Sequence, residues 1–313
     1  MTLITTPFDS RTTAAEVLAG LDLAGRRMVV TGGASGLGTE TVRALAGAGA
    51  QVVVATRDPA LAKPLLDEFP AVTAAELDLA DLRSVRAFVR DWRGPLHSLV
   101  ANAGVMMLPE RRLSAQGWEM QLAVNYLGHF ALIHGLHDAL RAAGTARVVT
   151  VSSGAQRLQP VDFADPQFER RPYDPMVAYA QSKTADALLA VGVSRRWAED
   201  GVTANSCEPG WIHTNLQRHL DPATMRAFGA MDEDGNLLTP DYYKTPAQGA
   251  STSVLLAASP LLEGVTGRYF EDNRESAPID GGPEFTMTGV ARWATDPVAA
   301  DELWDYALPF LGS

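Results

Sequence analysis

The sequence predicts an α/β fold in which a doubly wound parallel sheet of about seven strands carries helices on both faces. Between residues 26 and 210, strand-like segments alternate with helix-like segments, the strands are almost continuously apolar, and the first strand enters a glycine-rich turn. Strands of that kind are buried on both faces, and β-α-β alternation makes them parallel. Hydrophobic residues make up 46% of the 313 residues, which is enough for a sizeable core.

The elements follow one another without a break in this pattern. Apolar runs predict strands at residues 26–33, 51–57, 71–79, 97–104, 146–153 and 202–210. Apolar residues at helical spacing predict helices at residues 37–50, 61–69, 81–92, 118–142 and 178–200.

The remaining segments are an N-terminal arm and two irregular loops. Residues 1–25 form the predicted arm, with a helix over Thr13–Gly20, and residues 26–313 contain no repeat or linker that would mark a second domain. Residues 211–245 and 271–300 are irregular and contain many Pro, Gly and Asp residues. Because loops at the carboxyl ends of the strands build the ligand site of a doubly wound fold, we expect these two segments to bind substrate.

Composition narrows the class of protein. The net charge of −11 disfavours nucleic acid or an anionic membrane as a partner, and no stretch approaches the ~20 apolar residues of a membrane span. The single cysteine, Cys207, excludes an intramolecular disulfide and fits a reducing, cytoplasmic location. The six histidines form no metal-type cluster with carboxylates, so we expect no metal site.

A phosphate-binding turn is predicted at Thr31–Gly38, with the sequence TGGASGLG. Glycines allow a tight turn and the close approach of a pyrophosphate, and the helix that follows offers free N–H groups. The spacing is G-x-x-x-G-x-G, from Gly32 through Gly36 to Gly38. The alternative is an ordinary glycine-rich turn between a strand and a helix.

The end of the second strand predicts the form of the cofactor. An acidic residue there would bind the ribose 2′-hydroxyl, but Thr56 and Arg57 stand at this position. Arginine can bind a 2′-phosphate through charge-assisted hydrogen bonds. Asp58 is a contrary sign, and the alternative is that Arg57 is a solvated loop residue.

Seven motifs occur in the order and rough spacing of one enzyme family: TGGASGLG, LDLAD, ANAG, AVNYLG, VSS, YAQSK and PGWIHT. From about Leu23 to Phe270 the chain resembles the short-chain dehydrogenase/reductase family. The N-terminal arm and the long interval between VSS and YAQSK are most similar to its retinol-dehydrogenase and WW-domain-oxidoreductase-like branch. The resemblance implies a Rossmann-like, NAD(P)-binding catalytic domain, and Arg57 favours NADP(H), with NAD(H) as the alternative.

The resemblance also implies four catalytic roles. Tyr179 would be the general acid/base, Lys183 would contact the nicotinamide ribose and lower the tyrosine pKa, Ser153 would hydrogen-bond the substrate oxygen, and Asn125 would hold a water in a proton relay. The spacing agrees, because residues four apart share one face of a helix. Ser152 is the alternative to Ser153, and either serine could instead form a strand-end hydrogen bond to the backbone.

The implied cofactor contacts are spread over the whole chain. Asp78 and Leu79 would lie beside the adenine, and residues 209–212 with Thr214 would bracket the nicotinamide. The full implied set is Gly32, Ser35, Gly36, Leu37, Gly38, Thr56, Arg57, Asp78, Leu79, Asn102, Ala103, Gly104, Tyr179, Lys183, Pro209, Gly210, Ile212 and Thr214.

Two features depart from the family pattern. Glu208 precedes Pro209, where relatives often have an uncharged residue or histidine. The Ser153–Tyr179 interval is about twice the usual length, so residues 154–176 are predicted to form a flap beside the active site or to cover a helix face used in assembly. Partial cover of that face predicts a monomer or a homodimer and not a tetramer.

The predicted function is therefore hydride transfer between an NADP(H) cofactor and a ketone, aldehyde or alcohol. An epimerase or dehydratase of the extended branch would carry a different glycine spacing, and a dinucleotide-sensing protein would have lost Tyr179, Lys183, Ser153 or Asn125. A lipophilic substrate is predicted from candidate pocket residues Met106, Met107, Trp211, Ile212, Leu216, Met225, Phe228 and Met231.

Overall fold

The computed structural model of the chain describes residues 2–283 and 286–312. An eight-stranded sheet has the order β3-β2-β1-β4-β5-β6-β7-β8, and all neighbours are parallel except β7 and β8. Its strands are β1 Arg27–Thr31, β2 Gln51–Thr56, β3 Val72–Glu76, β4 Ser98–Ala101, β5 Ala146–Val151, β6 Val202–Glu208, β7 Tyr269–Glu271 and β8 Arg274–Glu275. Strands β9 Pro278–Ile279 and β10 Val290–Ala291 form a separate parallel pair.

Helices cover both faces of this sheet. They are α1 Ala14–Val17, α2 Gly36–Gly47, α3 Lys63–Glu68, α4 Leu82–Asp91, α5 Met120–Leu122, α6 Gly128–Gly135, α7 His137–Arg141, α8 Pro175–Trp197, α9 Pro222–Ala227, α10 Pro246–Gly249, α11 Ser251–Ala258 and α12 Pro297–Ala307. The predicted doubly wound parallel sheet of about seven strands is confirmed, with β8 added as an antiparallel edge strand.

Two apolar cores, one on each face of the sheet, explain why the strands consist of almost uninterrupted apolar residues. Val29 and Leu99 point into the core shared with α4, α6 and α8, whereas Val30 and Val100 point into the core shared with α2 and α11. All four side chains are fully buried. Because successive side chains of a strand alternate between faces, a strand buried on both faces must be apolar throughout.

The predicted helix at 118–142 is interrupted twice. A π-helical turn, Ala123–Leu127, separates α5 from α6, and the chain restarts as α7 after Leu136. Sequence periodicity does not reveal the π-turn, because one wide turn changes the phase of the apolar positions only slightly. The turn is important since it carries Asn125.

The C-terminal helix α12 begins within segment 271–300, which the sequence predicts to be irregular, and continues past its end. Asp296 caps it at Val298, and Pro297 occupies its first position. It packs against α8, where Gly192 leaves room for Trp304: a Cβ on Gly192 would lie 2.9 Å from that indole. The insertion lies against α8 as well, with Gln181 donating a hydrogen bond to the Pro166 carbonyl oxygen.

The N-terminal arm is tied to loop 211–245. The helix within it is shorter than predicted, since Thr13 caps α1 at its start and Leu18 is already its C-cap. Arg11 donates hydrogen bonds to the carbonyl oxygens of Asp241 and Tyr243, at the end of loop 211–245. The arm therefore holds one end of that loop in place.

Candidate active site

One cavity of about 1160 Å³ opens at the carboxyl ends of the parallel strands. All the predicted catalytic and cofactor-binding residues line it except Gly38 and Asn125, which lie directly behind its wall. Doubly wound sheets bind ligands at this edge, where the strand order reverses between β1 and β4.

The glycine-rich turn is packed too closely for any larger side chain. Gly32 and Gly36 have positive φ angles of 65° and 54°. A Cβ on Gly38 would lie 2.3 Å from the Gly32 carbonyl oxygen and 2.8 Å from the Asn102 amide nitrogen. Ser35 is the N-cap of α2, yet its side chain does not cap the helix. The cradle therefore fits a pyrophosphate, which the free N–H groups of the α2 N-terminus would bind.

At the adenosine end, Arg57 is exposed at the cavity edge and has no ion-pair partner among the described residues. The neighbouring Asp58 accepts a hydrogen bond from the Ala60 amide and caps a short 3-10 helix, Pro59–Ala62. The carboxylate is thus engaged by its own backbone, while the guanidinium remains available for an anion.

Tyr179, Lys183 and Ser153 meet in the middle of the cavity. The Ser153 side chain interacts with the Tyr179 phenol and lowers its pKa, and the Lys183 ammonium lies 5.8 Å from the Tyr179 ring centre. Tyr179 is 5% exposed and Lys183 is 4% exposed, and both side chains line the cavity. The buried first half of α8 supplies both side chains.

The two serines are placed differently. The Ser152 hydroxyl donates to the Lys183 carbonyl oxygen at 2.7 Å and so ties β5 to α8. The Ser153 hydroxyl accepts a hydrogen bond from the Ala155 amide and faces Tyr179. Alternation along the strand separates the two roles, and Ser153 is the one directed at the cavity.

The electrostatics differ from the prediction for Tyr179. Burial raises the pKa of its phenol, although the charge of Lys183 and the hydrogen bond to Ser153 lower it. Lys183 itself forms a 2.8 Å ion pair with Asp186, and it donates to the Val151 carbonyl oxygen at 2.9 Å. Burial outweighs the effect of the cation, part of which Asp186 also offsets, so the net pKa shift of Tyr179 is upward and not downward.

The buried Asn125 side chain connects Val105 to Ser182, and His129 holds the Asn125 backbone in place. The Asn125 side chain accepts from the Val105 amide and donates to the Val105 carbonyl oxygen and to Ser182. The sequence alone assigns no role to His129. Its Nδ1 lies 2.7 Å from the Asn125 carbonyl oxygen and its Nε2 lies 2.9 Å from the Thr31 hydroxyl.

The tautomer of His129 follows from its partners. The Asn125 carbonyl oxygen can only accept a hydrogen bond, so Nδ1 of His129 carries the ring proton and donates to it. Nε2 of the neutral ring then accepts from the Thr31 hydroxyl, which lies closer to Nε2, at 2.9 Å, than to the Val100 carbonyl oxygen, at 3.4 Å. Burial lowers the pKa of His129 to about 4, so the ring is neutral and connects the phosphate-binding strand to the π-turn.

Glu208 is buried beside Arg157, a contact that the sequence did not reveal. Their carboxylate and guanidinium are 3.0 Å apart. Burial, together with repulsion from Glu271, raises the pKa of Glu208 to about 7 in spite of Arg157. The insertion after Ser153 therefore reaches the strand end that precedes Pro209.

The raised pKa of Glu208 predicts how stability depends on pH. Between about pH 4.5 and 7 the folded protein retains a proton that the unfolded chain has lost. Because the folded state binds more protons there, this group makes the free energy of unfolding fall as pH rises, by at most about 1.4 kcal/mol per pH unit. Glu208→Gln should remove that dependence, which urea unfolding at several pH values would measure.

The comparison of Glu208→Gln with wild type separates the effect of Glu208 from the effects of all the other titrating groups. The variant should gain stability relative to wild type between pH 5 and pH 8. Glu199→Gln, which removes an exposed carboxylate at the far end of α8, is the matched control. A constant difference between Glu208→Gln and wild type over this range would show that Glu208 does not titrate there.

The cavity wall opposite Ser153, Tyr179 and Lys183 is apolar. The predicted pocket residues that line it are Met106, Trp211, Ile212, Leu216 and Phe228. Leu158 and Met176, from the two ends of the insertion, also line it. Residues 154–176 therefore contribute directly to the cavity, as the prediction of a flap beside the active site expected.

Three predicted pocket residues lie elsewhere. Met225 and Met231 pack with Ala230 and Tyr243 in a small cluster beneath loop 211–245. The Met107 amide donates to Gln121 away from the cavity, and Met107 has a positive φ of 53°. Met225 and Met231 support the loop, and none of the three methionines lines the cavity.

The described residues contain neither a membrane-spanning helix nor a metal-type cluster of side chains. Within residues 2–283 and 286–312, none of the helices has both the length and the apolar character of a membrane span. Over the same part of the chain, three or more His, Cys, Asp or Glu side chains do not come together to hold a metal ion. Burial raises the pKa of the Cys207 thiol to about 12, which makes it a buried apolar residue in practice.

This chain is similar in sequence to a known protein family and to known proteins. The family described as short chain dehydrogenase matches residues 26–224. A "Probable oxidoreductase" of Streptomyces lividans is 62% identical over 298 residues, covering 94% of this chain and all of that protein. Mouse "Polyprenol dehydrogenase" is 42% identical over 82% of this chain and 78% of its own length.

The similarity extends to solved structures. A gluconate 5-dehydrogenase from Burkholderia cenocepacia, described in complex with NADP and tartrate, superposes with a TM-score of 0.61 at 26% identity. The match covers 80% of this chain and 94% of that one.

Proposed function

The chain belongs to the short-chain dehydrogenase/reductase family, in its retinol-dehydrogenase-like branch, and we propose that it is an NADPH-dependent reductase of lipophilic ketones or aldehydes that also catalyses the reverse oxidation. Members of the family use NAD(P). One observation carries the proposal: Ser153, Tyr179 and Lys183 converge in a cavity that has a phosphate cradle at one end and an apolar wall at the other.

The side chains can divide the proton chemistry among them. When bound, the nicotinamide supplies the hydride for the carbonyl carbon. Ser153 and Tyr179 hydrogen-bond the carbonyl oxygen, and Tyr179 gives its proton to that oxygen as negative charge develops. Lys183 stabilises the tyrosinate that remains. Asn125 lies behind the cavity wall with its side chain bonded to Val105 and Ser182, so the relay-water role that the resemblance implies for it stays a prediction.

The substrate class follows from the apolar wall. Trp211, Leu216 and Phe228 offer a long apolar surface to a substrate whose only polar group is its carbonyl or hydroxyl. The polyprenol dehydrogenase relative acts, by its name, on an isoprenoid alcohol. Isoprenoid and other long-chain carbonyl compounds are therefore the first candidates.

The experiment that tests this function is a cofactor-oxidation screen. Purified protein is incubated with NADPH and with aliphatic, aromatic, isoprenoid and steroidal carbonyl compounds, and loss of the reduced nicotinamide is followed by absorbance. We expect turnover with long apolar carbonyls. Absence of turnover across the whole panel, with NADPH bound, would refute the proposal.

Cofactor preference depends on Arg57. A desolvated, charge-assisted contact to the 2′-phosphate contributes roughly 1.5–3 kcal/mol, or about 10- to 150-fold in affinity. Arg57→Asp should therefore weaken NADPH binding by that factor and leave NADH binding nearly unchanged, as titration of nicotinamide fluorescence would measure.

The control for this prediction is Arg274→Asp, which reverses the same charge on an exposed residue of β8, at the opposite edge of the sheet. It should not change the ratio of the two affinities. Equal affinity of the wild-type protein for NADPH and NADH would contradict the role given to Arg57.

We also propose a monomer or homodimer. In this family the helices equivalent to α8 commonly pair across a two-fold axis. Here α12 and the insertion lie on α8, through Trp304 against Gly192 and through the Pro166 carbonyl oxygen. Light scattering should give one or two times 33.5 kDa, and a dilution-independent mass near four times that value would contradict the proposal.

A further inference from the structure

The segment at residues 286–291 is held against the active site by a buried ion cluster, here named the 157/208/271 cluster after its members Arg157, Glu208 and Glu271. The side chains of the three residues are 6%, 8% and 7% exposed. They come from three separate places: the turn after Ser153, the end of β6 and the end of β7. Buried charges are stable in folded proteins when they are paired and hydrogen-bonded. The partners of these three side chains therefore show which part of the chain the cluster holds in place.

The centre of the cluster is a two-pronged contact. Arg157 Nη1 lies 3.0 Å from Glu208 Oε2, and Nη2 lies 3.2 Å from Oε1. Glu271 approaches Nη1 at 3.6 Å. Gly154 makes room for the guanidinium, because a Cβ there would lie 2.2 Å from Nη2. The turn after Ser153 is therefore shaped to bring Arg157 to the end of β6.

The cluster also makes hydrogen bonds to the backbone of residues 287 and 289. Arg157 donates to the carbonyl oxygens of Gly289, at 2.9 Å, and Met287, at 3.2 Å. The Glu271 carboxylate accepts from the Gly289 amide at 3.0 Å. The residue before Arg157 extends the pattern, since the Gln156 amide group bonds Gly289 and Ala291.

The first two residues of segment 286–291 form part of the wall of the substrate cavity. Thr286 and Met287 line the cavity together with Leu158, the residue after Arg157. The cluster also touches the catalytic centre, because the Tyr269 hydroxyl lies 3.3 Å from both Glu208 Oε2 and the Ser153 carbonyl oxygen. One set of buried bonds thus fixes the distance between the wall and the serine that faces Tyr179.

We propose that Arg157, Glu208 and Glu271 are positioning residues that hold residues 286–291 as one wall of the substrate cavity, and that this wall selects long apolar substrates over short ones. The selection step rests on the proposed reductase function. A long substrate extends past the catalytic group and contacts Met287, whereas a short one ends before it. Loss of the cluster therefore weakens the long substrate more.

Two variants and one control test the proposal. Glu208→Gln keeps the shape but turns an N–H group toward the guanidinium, which breaks one prong of the contact. Met287→Ala shortens the wall without touching the cluster, so it remains informative if Glu208→Gln folds poorly. Glu199→Gln removes an exposed carboxylate at the far end of α8 and is the control.

The kinetic readout is the ratio of kcat/KM for all-trans-retinal to kcat/KM for hexanal, at saturating NADPH. We expect it to fall at least about tenfold in Glu208→Gln and in Met287→Ala, equivalent to about 1.4 kcal/mol, and to stay constant in Glu199→Gln. An unchanged ratio in both test variants would overturn the selection role. An equal loss for both aldehydes would do the same, since it would show a merely structural effect.

The second readout needs no turnover. Amide hydrogen exchange in the free protein should show Gly289 and Ala291 protected in wild type and exposed in Glu208→Gln, with α11 unchanged as an internal reference. Protection that persists in the variant would overturn the positioning role. If the wild type reduces neither aldehyde, the proposed function fails, and exchange still decides whether the cluster positions the wall.

Discussion

Replacing Tyr179 by phenylalanine should lower turnover by about 10²- to 10⁴-fold, the range that a positioned general acid contributes. The ring is retained, so packing on α8 is preserved, but the proton that must reach the substrate oxygen is lost. Lys183 and Ser153 remain and cannot replace it, because the ammonium is held by Asp186 and by the Val151 carbonyl oxygen. Steady-state kinetics with NADPH and a reactive aldehyde would measure the loss.

Cofactor binding separates this effect from unfolding. Tyr179→Phe should bind NADPH nearly as tightly as wild type, because the phenol proton is not part of the phosphate cradle. Tyr306→Phe is the matched control: it removes a hydroxyl on α12 that accepts a hydrogen bond from Gln167 outside the cavity. Nearly full turnover in Tyr179→Phe would mean that another group donates the proton.

Gly38→Ala should destroy the phosphate cradle. The added methyl group would lie 2.3 Å from the Gly32 carbonyl oxygen and 2.8 Å from the Gly33 Cα, and both are backbone atoms that cannot move away independently. Overpacking of this kind costs about 1–3 kcal/mol of stability. Since the turn must open to relieve the clash, NADPH affinity should fall at least about tenfold as well.

The same helix provides the control. Gly47 is the last residue of α2, is exposed, and a Cβ there would meet nothing within 4 Å. Gly47→Ala should therefore stabilise the protein by up to about 1 kcal/mol and leave NADPH binding unchanged. Thermal unfolding with and without NADPH would compare the two variants. Similar behaviour of both would contradict the close packing described for the cradle.

Local patterns explain how much of the molecule the sequence could predict. The central strands β1, β4, β5 and β6 were predictable because burial on both faces requires uninterrupted apolar residues. The glycine-rich turn was predictable because its backbone geometry excludes other residues. Tyr179 and Lys183 were recognisable because a helix places residues four apart on one face. Each of these signals lies within a short stretch of chain.

The features that were missed depend on contacts between distant parts of the chain. Arg157 and Glu208 are 51 residues apart, and nothing near either one announces the other. The ion pair of Lys183 with Asp186 lies within one helix, but three-residue spacing of opposite charges is common on exposed helices and does not indicate burial. β7 and β8 have three and two residues, too few for a periodic pattern to appear.

The origin of the pKa of Tyr179 shows the same limit. The sequence indicates a cation beside the phenol, and the charge of Lys183 does act to lower the pKa of Tyr179. Only the fold reveals that burial opposes this effect and that Asp186 pairs with the cation. The balance between these contributions is a property of the three-dimensional packing and not of the spacing.

Direct hydride transfer to a carbonyl carbon is the central claim, and isotope transfer tests it most directly. The protein is incubated with all-trans-retinal and NADPH deuterated at either face of nicotinamide C4, and the alcohol is analysed by mass spectrometry. We expect one deuterium at the carbinol carbon from one of the two labelled cofactors, in proportion to the NADP formed, and almost none with Tyr179→Phe. Failure to form deuterated alcohol from retinal or from any carbonyl compound in the screen, while NADPH is bound, would contradict the assignment of this site as a carbonyl reductase.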